Sequence, residues 1–241
     1  MKIFLAGATG AIGRRLTPLL VAEGHTVTGT TRSADKAKDL KAQGAEAVVV
    51  DVFDAKALRE AVLRATPDVV IHQLTDLPQV FDPARLADVL HRNTRLREEA
   101  TPSLVAAAKA AGVRRLIAQS IAFAYAEGPE PHAESDPIAS AEGDALSAIT
   151  ARGVRALESA VLNTPGIEGI VLRYGRLYGP GTWNTPNARA PLHVDAAAHA
   201  ALLALTRGAA GVYNIAEDDG AVAVEKARRE LGFNPAFRLK S

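Results

Sequence analysis

The sequence predicts an α/β fold in which a parallel sheet is wound with helices on both faces. Short apolar runs of strand length alternate with longer stretches of helical period, the pattern of successive βαβ units. The first strand-to-helix junction is a run of small residues, Gly7-Ala-Thr-Gly10-Ala-Ile-Gly13, where the chain must turn sharply. The 241 residues include no cysteine, so neither disulfides nor thiolate-held metals organise the chain.

The elements follow in order. Residues 2–5 form a buried first strand, and 11–23 a helix with Ile12, Leu16, Leu19 and Leu20 on one face. A strand at 25–30, a helix at 34–43 ended by Gly44, and a strand at 47–50 stopped by Asp51 come next. Residues 55–65 are helical, and Pro67 introduces the strand 68–72. A long helical stretch covers 83–111, with Pro102 the expected break, since proline lacks the N–H that an interior position requires. After Gly112 come a strand at 115–119, a loop over 127–144, a helix at 145–162 and a strand at 169–173. Residues 175–193 read as mostly irregular. A helix at 195–205, a short strand at 211–215 and a helix at 222–231 complete the chain. No internal repeat interrupts this order.

Composition narrows the function classes. Hydrophobic residues make up 48% of the chain and charged residues 23%, as in ordinary globular proteins. Lysine plus arginine (28) nearly cancels aspartate plus glutamate (27), which argues against nucleic acid or an anionic membrane as partner. The first apolar run breaks into glycines too soon for a signal peptide, and no stretch reaches the length of a membrane span. The expected setting is the cytoplasm.

The glycine run carries the functional reading. Residues without a Cβ let the backbone approach a pyrophosphate closely, and the helix that follows offers its free N–H groups to the anion. Gly7, Thr9, Gly10, Ala11, Ile12 and Gly13 are therefore expected to bind a dinucleotide in a Rossmann-type, doubly wound parallel sheet. The alternative is a tight strand-to-helix turn with no ligand. At the end of the second strand, Gly29-Thr-Thr-Arg-Ser33 has no acid to hold ribose hydroxyls and repel a 2′-phosphate. Arg32 and Ser33 instead favour NADP, with NAD as the alternative. Gln73, Leu74 and Thr75 end the fourth strand, beside the expected cofactor ribose. His72 alone reads as a satisfied buried histidine.

GATGAIG resembles the short-chain dehydrogenase/reductase superfamily in its extended or atypical branch, the NAD-dependent epimerase/dehydratase-like proteins. The resemblance continues through Asp51-Val52, Asn93, AAAKAAGVRRLIAQS, Glu134-Ser-Asp-Pro137, LRYGRLYGPG at 172–181, His193-Val-Asp195, Tyr213-Asn-Ile215 and KARRELGFNP at 226–235. It implies that Asp51 and Val52 bracket the adenine, that Ser120 orients the substrate, and that Asn93 supports a catalytic lysine. Asp51 also reads as a turn residue after a strand.

The tyrosine and lysine that such enzymes pair on one helix are not found. Setting the register on Glu158 places Val154 at the lysine position and Thr150 at the tyrosine position, and residues 145–162 hold neither residue type. Tyr125 is the leading substitute as proton donor, with Tyr174 and Tyr178 also candidates to face the pocket; a lone tyrosine is more often lining than catalyst. Only a dozen residues separate Gly181 from His193, so the substrate lobe is expected to be reduced, with residues 1–175 as dinucleotide-binding core and 176–241 as lobe plus last core strand. Trp183 and Asn184 lie at the expected pocket mouth. His193 and Asp195 are too isolated for a metal site, and none is expected. The reading is an NAD(P)-dependent oxidoreductase or epimerase-like enzyme for a small carbonyl or hydroxyl compound. The alternative is a non-catalytic NADP(H) sensor. The family resemblance implies a homodimer through the long helices.

Overall fold

The computed structural model describes residues 1–78, 82–143 and 145–239. The first half of the chain forms β1 (Lys2–Ala6), α1 (Ala11–Ala22), β2 (Thr26–Thr31), α2 (Ala34–Ala42), β3 (Glu46–Val49), α3 (Ala55–Ala65) and β4 (Val69–His72). There follow α4 (Leu86–Arg95), α5 (Thr101–Ala110), β5 (Arg115–Ile121), α6 (Leu146–Leu162) and β6 (Glu168–Tyr174). The chain ends with β7 (Arg176–Tyr178), β8 (Pro191–His193), α7 (Val194–Leu203), β9 (Gly211–Ile215) and α8 (Glu225–Leu231). One seven-stranded sheet has the order β3-β2-β1-β4-β5-β6-β9, every pairing parallel. β7 and β8 pair with each other as a separate parallel ribbon.

Both sheet faces are covered, which explains why the strands are apolar runs rather than alternating ones. Ile3, Leu5, Ile71, Ile117, Ile170 and Leu172 share one core with Ile12, Leu16 and Leu20 of α1 and the alanines of α7. Phe4, Val70, Leu116, Ala118 and Val171 share the other with Leu58, Leu104, Leu157 and Val161 of α3, α5 and α6. Truncating one such leucine to alanine removes about 2–5 kcal/mol.

Strand register positions the site. Ala6 pairs with His72, and Ile121, Tyr174 and Ile215 lie level. Several strands therefore release their following loops along one edge. Strand order reverses between β1 and β4, the crevice in which doubly wound sheets hold ligands.

Three expectations are corrected. The break in the 83–111 stretch falls before Pro102: a 3₁₀ turn (Pro83–Arg85) precedes α4, and a π turn (Leu96–Ala100) joins α4 to α5. Pro102 sits in the first turn of α5, where its missing N–H is tolerated. The 175–193 segment, expected to be mostly irregular, contains β7 and β8. The last helix starts at Glu225, because Val222 is buried and bridged to His132.

Candidate active site

Two glycines are required by the loop's own packing. At Gly7, φ is +88°, and an added Cβ would lie 2.5 Å from the Gln73 carbonyl oxygen; at Gly13 it would meet the Gly7 carbonyl oxygen at 2.3 Å. The Gly7 N–H donates to Thr30 Oγ1 at 3.0 Å, fixing the loop to β2. Gly10 differs: its backbone is extended, and a Cβ there would meet only backbone oxygens, the nearer at 3.4 Å. Internal packing does not demand glycine at this position, and its absent side chain leaves the turn open to close approach from outside.

Gly10 also caps α1 without any side-chain hydrogen bond, and the first turn holds no acid. The N-terminal N–H groups, including those of Ala11 and Ile12, are left for an anion, while the Ile12 side chain packs into the core. Thr9 Oγ1 donates to Thr31 Oγ1 at 3.3 Å. Gln73 is buried, and its Oε1 has no partner among the described residues. An orphaned acceptor on the residue that follows β4 and an open helix N-terminus both suit a dinucleotide.

The remaining cofactor candidates divide. Arg32 Nη2 pairs with Asp76 Oδ1 at 3.0 Å, and Arg92 Nε with Asp76 Oδ2 at 3.2 Å. Asn93 clasps the same residue, accepting from its N–H at 3.0 Å and donating to its carbonyl at 3.2 Å. Asn93 thus shapes the loop after β4. Ser33 accepts from Lys36 N–H as the cap of α2. Asp51 accepts from Phe53 N–H in a turn, and Val52 is buried among the α3 and α5 side chains. Leu74 and Thr75 are half-buried, Leu74 N–H donating to His72 Nδ1. His72 Nε2 lies 2.9 Å from Thr101 Oγ1, and burial lowers its pKa to about 4, so the ring is neutral. Tyr174 is buried, its hydroxyl accepting from Gln73 Nε2 at 3.3 Å, and burial pushes its pKa up.

The two catalytic candidates meet in one buried network. Ser120 is 1% exposed and donates to Glu158 Oε1 at 2.7 Å. Arg173 grips the same carboxylate with both prongs, Nε to Oε1 at 2.9 Å and Nη2 to Oε2 at 2.7 Å. Arg173 Nη1 also donates to Tyr125 Oη at 2.9 Å, and Tyr125 donates to Asn214 Oδ1 at 2.6 Å. Burial would lower the Arg173 pKa, but the bonds and charge of Glu158 raise it overall. Burial raises the Tyr125 pKa against the opposing pull of Arg173. The Ser120 proton is therefore directed to Glu158 and the Tyr125 proton to Asn214, both inside the protein. Thr150 Oγ1 donates to the Leu146 carbonyl of its own helix, and Val154 is fully buried.

Beyond β5 and β6 lies a cavity of about 310 Å³ with Phe123, Tyr125, His132, Arg176 and Arg189 on its walls. Phe123, His132, Arg176 and Arg189 escape the sequence reading, because a lone arginine after a strand looks like any surface cation until its neighbours are placed. The 179–184 loop approaches the start of α1, with a Cβ at Gly181 coming 3.9 Å from Ala11 Cβ.

A family model described as NAD(P)H-binding matches residues 7–182, from the first glycine into this loop. The chain belongs to the NAD(P)H-binding family. A 3-diazoavenalumate denitrifying reductase of Streptomyces sp is 41% identical to this chain over 231 residues, covering 95% of this chain and 72% of the relative. A 4-hydroxy-2-methyl-3-oxo-4-farnesyl-3,4-dihydroquinoline-1-oxide ketoreductase of Stigmatella aurantiaca is 28% identical over 182 residues, covering 74% of this chain and 51% of the relative. The fold is that of the epimerase/dehydratase structures: UDP-glucose 4-epimerase of Thermotoga maritima superposes with a TM-score of 0.79 at 17% identity, covering 99% of this chain and 94% of that one. Among the described residues, no helix of this NAD(P)H-binding protein is long and apolar enough to cross a membrane.

Proposed function

We propose that this chain is an NAD(P)H-dependent reductase that reduces a small electrophile at the ends of β5 and β6 without a side-chain proton donor. The observation that carries this reading is the locked network: Ser120 and Tyr125 both spend their hydroxyl protons inside the protein. No tyrosine or lysine stands on α6 to replace them. The Streptomyces relative, by its name, reduces a diazo compound with loss of nitrogen. Bound NAD(P)H would supply a hydride, and a hydride replacing dinitrogen on an aryl diazonium yields arene and N₂ with no proton consumed. A substrate of that kind asks this chain only to bind, orient and exclude water. The glycine loop and α1 N-terminus would hold the pyrophosphate, Gln73 Oε1 would accept a hydrogen bond beside it, and the cavity walls would hold the electrophile.

NADP(H) is the proposed cofactor. Arg32 and Arg92 converge on the single carboxylate of Asp76, which leaves that corner net positive and suited to a 2′-phosphate.

The test follows deuterium from 4-deuterated NADPH into product across aryl diazonium salts and small ketones, for the wild type and Tyr125→Phe. Deuterium in the arene at equal rates in both proteins supports the reading. A turnover lost in Tyr125→Phe would restore tyrosine as the acid. Tight NADPH binding with no turnover in any arm would instead identify a sensor.

A further inference from the structure

We propose that the cavity beyond β5 and β6 binds a small aromatic carboxylate, with Arg176 as the group that grips the acid. This names the substrate class of the site proposed above and rests on that reading. The cavity, at about 310 Å³, is at the small end of ligand sites and suits a single ring with a short acidic arm.

Arg176 is the unusual wall residue. Its guanidinium makes no ion pair or hydrogen bond among the described residues. Its plane lies over the Phe123 ring, 4.3 Å from the centroid. Arg189 on the same wall is paired with Glu130, whereas Glu127 is an exposed rim residue that does not pair with Arg176. Half-burial with no counter-charge lowers the Arg176 pKa. A cation kept this way is costly alone and is relieved by an incoming anion. The planar guanidinium fork fits a carboxylate through two parallel hydrogen bonds.

The other walls select for a flat apolar body. Tyr125 and His132 stack at 4.9 Å with an interplanar angle of 12°, and Phe123 stands 41% exposed. Ala122, Ala190 and Val222 supply apolar surface between these rings. Arg176 lines this cavity, whereas Tyr174, two residues earlier, turns its hydroxyl to Gln73.

The probe pair is 4-hydroxycinnamate and its neutral amide, titrated by calorimetry into the protein with and without saturating NADP⁺. The wild type should prefer the acid by about ten- to a hundredfold, the range of a charge-assisted hydrogen bond. Arg176→Gln should erase that preference while the amide binds as before, and Arg176→Lys should restore part of it. NADP⁺ affinity should be the same in all three proteins, which also shows that the variants are folded. Equal binding of acid and amide to the wild type would overturn the proposal, as would no binding of the acid at ~10 mM. A preference retained in Arg176→Gln would overturn it too. A matching loss of NADP⁺ affinity in Arg176→Gln would make Arg176 a cofactor cation instead. The readout is heat of binding, so failure of the reductase reading, seen as NADPH never being consumed, is a separate result.

Discussion

Ser120 donates its hydroxyl to Glu158 across 2.7 Å, and Arg173 grips both oxygens of the same carboxylate. The serine is therefore the third partner of a buried ion pair. Ser120→Ala should cost about 1 kcal/mol of stability and leave turnover within about twofold, since Arg173 still satisfies the carboxylate. Glu158→Ala should cost ~3–5 kcal/mol, because it strands a buried guanidinium. Urea melts together with NADPH oxidation would check both. A large loss of turnover in a well-folded Ser120→Ala would return the serine to the reaction.

Gly7 and Gly10 should separate folding from binding. Gly7→Ala meets a carbonyl oxygen at 2.5 Å with φ at +88°, so it should unfold the loop and lower the melting temperature. Gly10→Ala has room inside the fold, with its nearest contact at 3.4 Å. It should melt like the wild type yet bind NADPH at least tenfold more weakly, the added methyl standing where the pyrophosphate approaches. Unchanged NADPH affinity in Gly10→Ala would remove the phosphate site from this turn.

Asp76 holds Arg32 and Arg92 together, so cofactor choice should respond to all three residues. Arg32→Ala should weaken NADPH by about 1.5 kcal/mol and leave NADH nearly unchanged. Asp76→Asn removes the competing carboxylate and should tighten NADPH. Equal effects on both nucleotides, measured by fluorescence titration, would show that this corner does not read the 2′-phosphate.

His72 should impose an acid limit on stability. Its folded pKa is about 4 against 6.5 when unfolded, chiefly through burial, so the unfolded chain binds the proton first. The stability contributed by the neutral ring is complete above pH 6.5 and is lost as pH falls toward 4. The full loss is roughly 3 kcal/mol. Wild-type denaturation midpoints should fall between pH 7 and pH 5, and His72→Gln should flatten that slope. Parallel slopes would clear His72 of the effect.

Much of this molecule is written in short stretches of chain. Strand-length apolar runs, helical periods and the spacing of Gly7, Gly10 and Gly13 are local patterns, and each is governed by backbone and burial rules that act within one element. The parallel α/β sheet and the glycine-rich turn between β1 and α1 were therefore legible from sequence. The helix interruption was expected at Pro102, whereas the structure places it at Leu96–Ala100 and accommodates Pro102 in the first turn of α5.

The chemistry of the site depended on partners distant in the chain. Ser120 meets Glu158 38 positions away, and Tyr125 meets Asn214 89 positions away. Whether a hydroxyl is available to a substrate depends on such partners, since a buried donor takes the acceptor that folding brings to it. Arg176 shows the converse, because only the packed structure reveals that Glu130 turns to Arg189 and leaves its neighbour over Phe123 without a counter-charge. The sequence by itself determined the layers and the place of the glycine turn after β1, through interactions inside single elements. The tertiary structure alone decided which polar groups are already satisfied and which remain for a ligand, because hydrogen bonds and ion pairs are settled between elements.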